Sequence, residues 1–470
     1  MPNILRPLLP LAAMAFAIVA SSATPVALAR GTSAPSIPTA LIPARLAALQ
    51  QAHAGASVLH ARSAPSPYGA APWLEQQVFA SDGAQEDTFG SAVAIDGDTA
   101  LISAPQPGSE TGGIPAGHGV VYVFRRQGGE WVQTAELAAD DGADGDFFGF
   151  AVALQGNTAL VGAHFVTVAG HAHQGAAYVF RYANGAWTQA QKLVADDGAE
   201  QSMFGAAVAL DGDHAFVGAY GATINGNFGQ GAVYAYSGVN DTSLVQTAEL
   251  TADDGVANDQ FGYSVAAHGG TVMTGAPNAK IGDNAGQGAV YLFSDASGTW
   301  TRTQKIVADD GIVNDAFGIA IAYDDAHALI TAPLGNGFIG EWYAFGLDSG
   351  NWSQSQKILP PAGATDIFYA LSIGLSGDRA VVTYPGYDAG HGRVDLYGLD
   401  DIDGWRLLQP YTHDTGNPND FFPYYGWSAG ISGTTFLVGA YGQQVGDNLY
   451  QGAAYFYVRD AIFADGFDGG

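Results

Sequence analysis

The chain of 470 residues has no cysteine, which excludes a disulfide framework and every thiolate-based metal or nucleophile site. Cations are also scarce: 16 Lys and Arg stand against 45 Asp and Glu, a formal net charge of −29. That shortage excludes a surface that tracks nucleic-acid phosphates and argues against an anionic membrane face. Long apolar runs are missing as well. The longest, residues 8–20, falls short of the roughly 20 residues a bilayer-spanning helix needs, so no transmembrane segment is expected. There is no His-Glu-x-x-His pattern of a zinc helix. Glycine, in contrast, is abundant at 65 residues, as tight turns and close backbone contacts demand.

The ends of the chain read differently from its middle. Arg6, the apolar run and the small residues up to Ala29 form the pattern of a secretory signal peptide over 1–29, with Ala23 as an alternative cleavage point. The mature protein is therefore expected outside the cytoplasm, secreted, surface-displayed or periplasmic. Residues 30–72 read as an Ala/Pro/Ser-rich linker with a short helix expected over 44–53. Residues 458–470 read as a C-terminal tail.

Between them lies a unit that recurs seven times. It is plainest in Asp140-Asp141-Gly142, Phe148-Gly149, Gly162-Ala163, Gln174-Gly175 and Trp187. Aligned on Phe-Gly or its variant, the copies fall at Phe89, Phe148, Phe204, Phe261, Phe317, Phe368-Tyr369 and Tyr425, spaced by 51 to 59 residues. A period of this size signals an array of supersecondary units. Each unit holds four apolar or alternating runs separated by turn residues, so it reads as four antiparallel strands. Residues 73–79 match the Trp-led fourth strand, yet they precede the first Phe-Gly and have no strands of their own. The seventh unit lacks a fourth strand. The chain is thus expected to be all-β, a seven-bladed β-propeller over 73–457, closed by an N-terminal strand completing the last blade.

The Phe-Gly pairs and Gly275-Ala276-Pro277, with Ser103-Ala104-Pro105 and Thr331-Ala332-Pro333 as variants, resemble the FG-GAP repeats of integrin α-subunit propellers and their bacterial relatives. Calcium-binding members of that family carry an Asp-rich loop between the first two strands. Here the connection shrinks to Asp96-Gly97-Asp98 or Asp211-Gly212-Asp213, too short to supply six to eight oxygens. Those family sites are not carried over.

Other acids remain as candidates for Ca2+. They are the paired carboxylates Asp140, Asp141, Asp196, Asp197, Asp253, Asp254, Asp309 and Asp310, with a further acid near the Phe-Gly at Asp87, Asp146, Asp259, Asp315 and Asp366. Hard cations favour such oxygen clusters; the competing reading is that Asp and Gly build the turns. His171-Ala172-His173 offers two imidazoles without a third ligand. Gly426-Trp427-Ser428-Ala429-Gly430 matches the nucleophile elbow of serine hydrolases, but Ser428 aligns with Ser264 inside a first strand, where no elbow forms.

In a four-stranded meander the loops before each first strand and those between strands two and three emerge at one end. The Asp-rich loops therefore share a face with long loops at 106–118, 164–174, 220–230, 278–287 and 441–451, while those at 334–339 and 386–391 are short. The function read from this face is a protein- or glycan-binding and adhesion module, a monomer without nucleic-acid partners. The alternative is an extracellular glycan lyase or hydrolase with acids at the channel mouth.

Overall fold

The computed structural model describes residues 57–61, 73–106, 117–295, 298–400, 402, 404–412 and 423–459. The leader, the expected helix at 44–53 and residues 460–470 of the tail lie outside them. Blade two shows how one repeat folds. From the channel outward, Ala151–Gln155, Thr158–Ala163, Ala176–Ala183 and Ala186–Leu193 pair antiparallel in sequence order. Asn184 and Gly185 carry φ of +53° and +86°, the left-handed pair that a two-residue hairpin needs to match strand twist. Five further sheets repeat this order and a sixth does so with its outer strands drawn from earlier in the chain, which makes seven blades.

The apolar positions are spent between blades. Seven clusters of buried residues form, and each draws on two neighbouring blades. Leu101 and Val123 of blade one, for example, pack with Phe148, Val161 and Tyr178 of blade two. Seven interfaces for seven blades require a closed ring, and the seventh is the one between blade seven and blade one: Phe456 stacks on Trp131 with ring centroids 4.2 Å apart.

Closure is made as the unpaired Trp segment implied. Trp73–Val78 lies antiparallel to Ala453–Arg459, running from Trp73 opposite Arg459 to Val78 opposite Ala454. In blades one to six the third and fourth strands shift register at a bulge; this pair, drawn from distant parts of the chain, is regular. A fifth strand, Ser57–Ala61, pairs outside it, so part of the segment read as linker is built into blade seven.

Two details differ from the sequence reading. The Phe-Gly lies ahead of the first strand, in a turn whose preceding residue (Phe147, Met203, Gln260) and glycine both have positive φ. In blade six the equivalent pair is Tyr369-Ala370, one residue later than the aligned Phe368-Tyr369. Tyr369 N–H donates to Ile339 O at 2.7 Å as Phe317 N–H donates to Gln287 O, and Ala370 N–H reaches Thr383 O as Gly318 reaches Thr331 O. Phe368, with φ +69°, takes the place of the residue before the Phe.

Candidate functional site: the loop face

The loops between strands two and three of one blade are hydrogen-bonded into the entry of the next. Gln201, Met203 and Phe204 donate backbone N–H groups to Ala172 O, His173 O and Gln174 O, and the same ladder recurs at Asn258, Gln260 and Phe261 on Phe228, Gly229 and Gln230. The Asp-rich and inter-strand loops therefore do share one face. At the contact a glycine is required: a Cβ on Gly231 would lie 2.0 Å from Phe261 O.

Four of the long loops are alike inside. Val168–His171, Ile224–Asn227, Ile281–Asn284 and Val445–Asn448 each close a miniature hairpin bridge. Asn225 and Gly226, with φ of +52° and +87°, make the turn in blade three. The closing asparagine then orders the following glutamine: Asn227 Nδ2 donates to Gln230 Oε1 at 2.9 Å, and Gln230 Nε2 donates to Ala252 O at 2.9 Å. His171 occupies this asparagine position. His173, with φ +54°, stacks on Phe165 at 4.6 Å, so the two imidazoles follow repeat geometry rather than that of a metal pair.

The acids divide into two roles. Asp146, Asp259 and Asp315, all buried, accept the N–H of the residue three before them at 2.8, 2.8 and 2.6 Å, and Asp87 does so from Ala84 at 2.5 Å. Burial raises the first three carboxyls, with the N–H bond pulling the other way. Asp366 has no such place. It accepts the N–H of Asp388 at 2.9 Å, because the blade-six turn is shifted by a residue.

The Asp-Asp-Gly carboxylates are all exposed. The second of each pair reaches a tyrosine of its own blade's third strand: Asp141 with Tyr178 at 3.0 Å, Asp197 with Tyr234 at 2.8 Å, Asp254 with Tyr291 at 3.1 Å, Asp310 with Tyr343 at 3.1 Å. Lys192, Lys305 and Lys357 on the fourth strands add ion pairs of 2.6 to 2.7 Å to three of them. Partial burial raises Asp141, Asp254 and Asp310, but the ammonium and hydroxyl donors outweigh it and hold them below the usual carboxylate range. Of the first aspartates, Asp253 pairs with Arg302 at 2.6 Å, while Asp140 and Asp309 present their N–H to Gln189 and Gln354. Among the described residues no three His, Asp or Glu side chains converge as a metal would need.

Some residues escaped sequence reasoning. Where blades five and six have short turns at Gly335–Phe338 and Tyr387–Gly390, with left-handed residues at Asn336, Gly337, Asp388 and Ala389, the alanine that opens strand three in blades two, three, four and seven is replaced by Glu341 or Arg393. Glu341, buried, accepts Tyr343 OH at 2.6 Å and pairs with Lys357 at 2.9 Å. Arg393 pairs at 2.6 Å with Asp395, which stands fully buried where other blades have tyrosine; burial pushes that carboxyl up to about 6 although the guanidinium pulls it down. In blade two His164 is buried among Phe147, Phe150 and Phe165 with neither ring nitrogen bonded. Ser428 donates to Gly90 O at 2.9 Å from within a first strand, as Ser264 does to Gly318 O, and forms no elbow.

Fold and loop geometry together define a seven-bladed propeller whose blades are joined by Phe-Gly turns. The FG-GAP repeat pattern matches residues 73–124, 131–180, 187–236, 244–293 and 300–345, more than half of the chain, and the chain belongs to that family. The matched stretches run from a fourth strand to the next third strand. They stop before the two blades in which Ala370 or Tyr425 breaks the Phe-Gly pair. A comparison with curated proteins gave no match. Among solved structures, a protein from Lactobacillus plantarum is 14% identical, with 76% of this chain and 95% of that one covered and a TM-score of 0.45. Among the described residues no helix is long and apolar enough to cross a membrane.

Proposed function

We propose that this propeller is an exported, non-enzymatic binding module that holds an extracellular protein or glycan on its loop face. The observation that carries the reading is how the loop groups are used. Repeated acids, asparagines and glutamines hold loop to blade, which makes the face a rigid platform, while the side chains that differ between blades stand on it. Binding surfaces are commonly built in this way. The enzyme reading needs a distinct acid and base, and the repeated carboxylates are instead engaged with tyrosine, lysine or backbone N–H groups. Ring closure by the chain's own N-terminal strand leaves blade seven complete, in keeping with a monomer.

The test is a protein and glycan array probed with the exported protein, with and without calcium, followed by side-chain substitutions on the loop face. Deleting a loop such as 220–230 is not a clean control, because Phe228 and Gln230 accept backbone bonds from blade four's entry. Specific array binding, lost on substitution with the melting curve unchanged, is the expected result. Turnover of a glycan, or binding that maps to the opposite face, would overturn the reading.

A further inference from the structure

The repeat supplies an internal standard for which loop side chains the fold needs. The residue after the Asp-Asp-Gly glycine, or its variant, is alanine at Ala84, Ala143, Ala199 and Ala364, but Val256 before blade four and Ile312 before blade five. In all of the first three and in both exceptions the N–H makes the same bond, to an Asp or Ser side chain three residues on. The larger side chains add nothing to that turn. They stand 53% and 58% exposed, with Val313 beside Ile312 at 49%.

Phe228 follows the same logic. The corresponding residue of the hairpin loops is Ala172 in blade two, Ala285 in blade four and Leu449, itself 47% exposed, in blade seven, each with the same carbonyl bond to the next blade; the phenylalanine is 51% exposed where two of the three others are alanine. Its carbonyl accepts Asn258 N–H at 2.9 Å, which puts it at the junction that carries Val256. One junction further lies Ile312; beyond it, at the junction of blades five and six, lie exposed Phe338, at a strained φ of +73°, and exposed Ile367. Large apolar side chains thus line an arc over three consecutive junctions, at positions where the turn tolerates alanine in two of the three. Exposing them costs hydration free energy, and an exposed patch with a polar rim marks a recognition surface. The rim here is net acidic: Asp253, Asp283 and Asp309 are exposed, with Lys280 exposed near Asp283 and Arg302 paired to Asp253.

We propose that this arc docks a protein partner that presents an aliphatic ridge flanked by lysine or arginine. The inference rests on the binding reading above and selects protein over glycan. Four of the six exposed side chains of the arc, Val256, Ile312, Val313 and Ile367, are aliphatic and offer a sugar neither a hydrogen bond nor a flat ring, so an aliphatic ridge matches the arc as a whole better, and the aspartate rim fits a cationic flank. Asp253 keeps Arg302 as a neighbour, so the rim is ordered before a partner arrives.

The probe is a labelled synthetic helical peptide with one leucine face flanked by lysines. Two controls accompany it: the same peptide with glutamate for lysine, and a panel of neutral oligosaccharides. The test variant is Phe228→Ala/Val256→Ala/Ile312→Ala, which installs residues that other blades already carry. The expected result is saturable binding of the lysine peptide that weakens with salt, is absent for the glutamate peptide and falls about tenfold or more in the variant, with its melting curve unchanged. Equal binding by variant and wild type, or by both peptides, or none at all, overturns the proposal. Oligosaccharide binding unaffected by the triple substitution would overturn it while leaving the loop-face reading standing, so the two failures are distinguishable.

Discussion

Gln76 grips the backbone of Trp131 at both of its polar atoms: Nε2 donates to the carbonyl and Oε1 accepts the N–H, each at 2.8 Å. Both residues are buried, and the pair ties the closing strand to blade one. Gln191 with Leu244, Gln304 with Trp352 and Gln356 with Trp405 make the same clamp at other junctions. Gln76→Ala leaves a buried N–H and carbonyl without partners, so it is expected to cost about 2 kcal/mol and to lower the melting temperature measured by circular dichroism. The loss should exceed that of the less buried Gln304→Ala. An unchanged melt would show that the closing strand is held by strand pairing alone.

Ala370 occupies the left-handed position that blades one to five and seven give to glycine, with φ +61°. An L-residue there carries roughly 1 to 2 kcal/mol of strain. Ala370→Gly should therefore raise stability by about 1 kcal/mol, part of the strain relief being offset by the greater freedom of glycine in the unfolded chain. Denaturant titration reads the outcome, and destabilisation would mean that the Ala370 methyl packs well enough to outweigh its φ.

Much of this architecture is legible in the sequence because its signals repeat. Seven copies of one pattern fix the blade number, and an unmatched Trp-led segment at residue 73 can only complete the blade lacking a fourth strand. The blade-six register is misread because Phe368 looks like the motif phenylalanine, whereas burial and the bond to Ile339 O select Tyr369. The partners of the paired acids are hidden for a different reason. Tyr178 lies 37 residues from Asp141, and only strand pairing brings the two together. Ser57–Ala61 pairs through its backbone with a neighbouring strand, and backbone bonding leaves no mark in side-chain pattern.

His164 is held neutral by burial, which depresses its imidazole to about 3. The unfolded chain binds that proton near pH 6.5, so the contribution is complete above 6.5 and lost as pH falls toward 3. Wild type should lose stability across that window with an extra slope approaching about 1.4 kcal/mol per pH unit relative to His164→Tyr, the residue that blades three and seven carry at this position. Parallel stability curves for the two proteins would show that His164 is protonated within the fold.

Calcium removal should change little. The second aspartates spend their oxygens on tyrosine and lysine, and the short Asp96-Gly97-Asp98 type of turn offers too few donors. A chelator is expected to leave the melting temperature nearly unchanged; a fall of many degrees would place a cation on the Asp-Asp-Gly loops.

The two aspartates of one loop should also behave unequally. Asp310 pairs with Lys357 and lies 3.1 Å from the Tyr343 hydroxyl, both of which also reach Glu341, whereas Asp309 is engaged through its N–H, which alanine keeps. Asp310→Ala leaves Tyr343 and Lys357 with Glu341 as their remaining partner, and solvent screening at this partly exposed site limits the cost to about 1 kcal/mol or less. Asp309→Ala should fall within about 0.5 kcal/mol of wild type. The pH dependence separates the roles further. The Asp310 carboxyl is lowered in the fold, so its contribution is present above the ordinary carboxylate range and is lost as pH falls below that range through the lowered folded value, and Asp310→Ala should flatten that limb of the stability curve. If Asp309→Ala instead removes partner binding while Asp310→Ala does not, the first aspartates are the recognition groups and the second their support. If both substitutions destabilise equally, the division of the loop into anchor and rim is wrong.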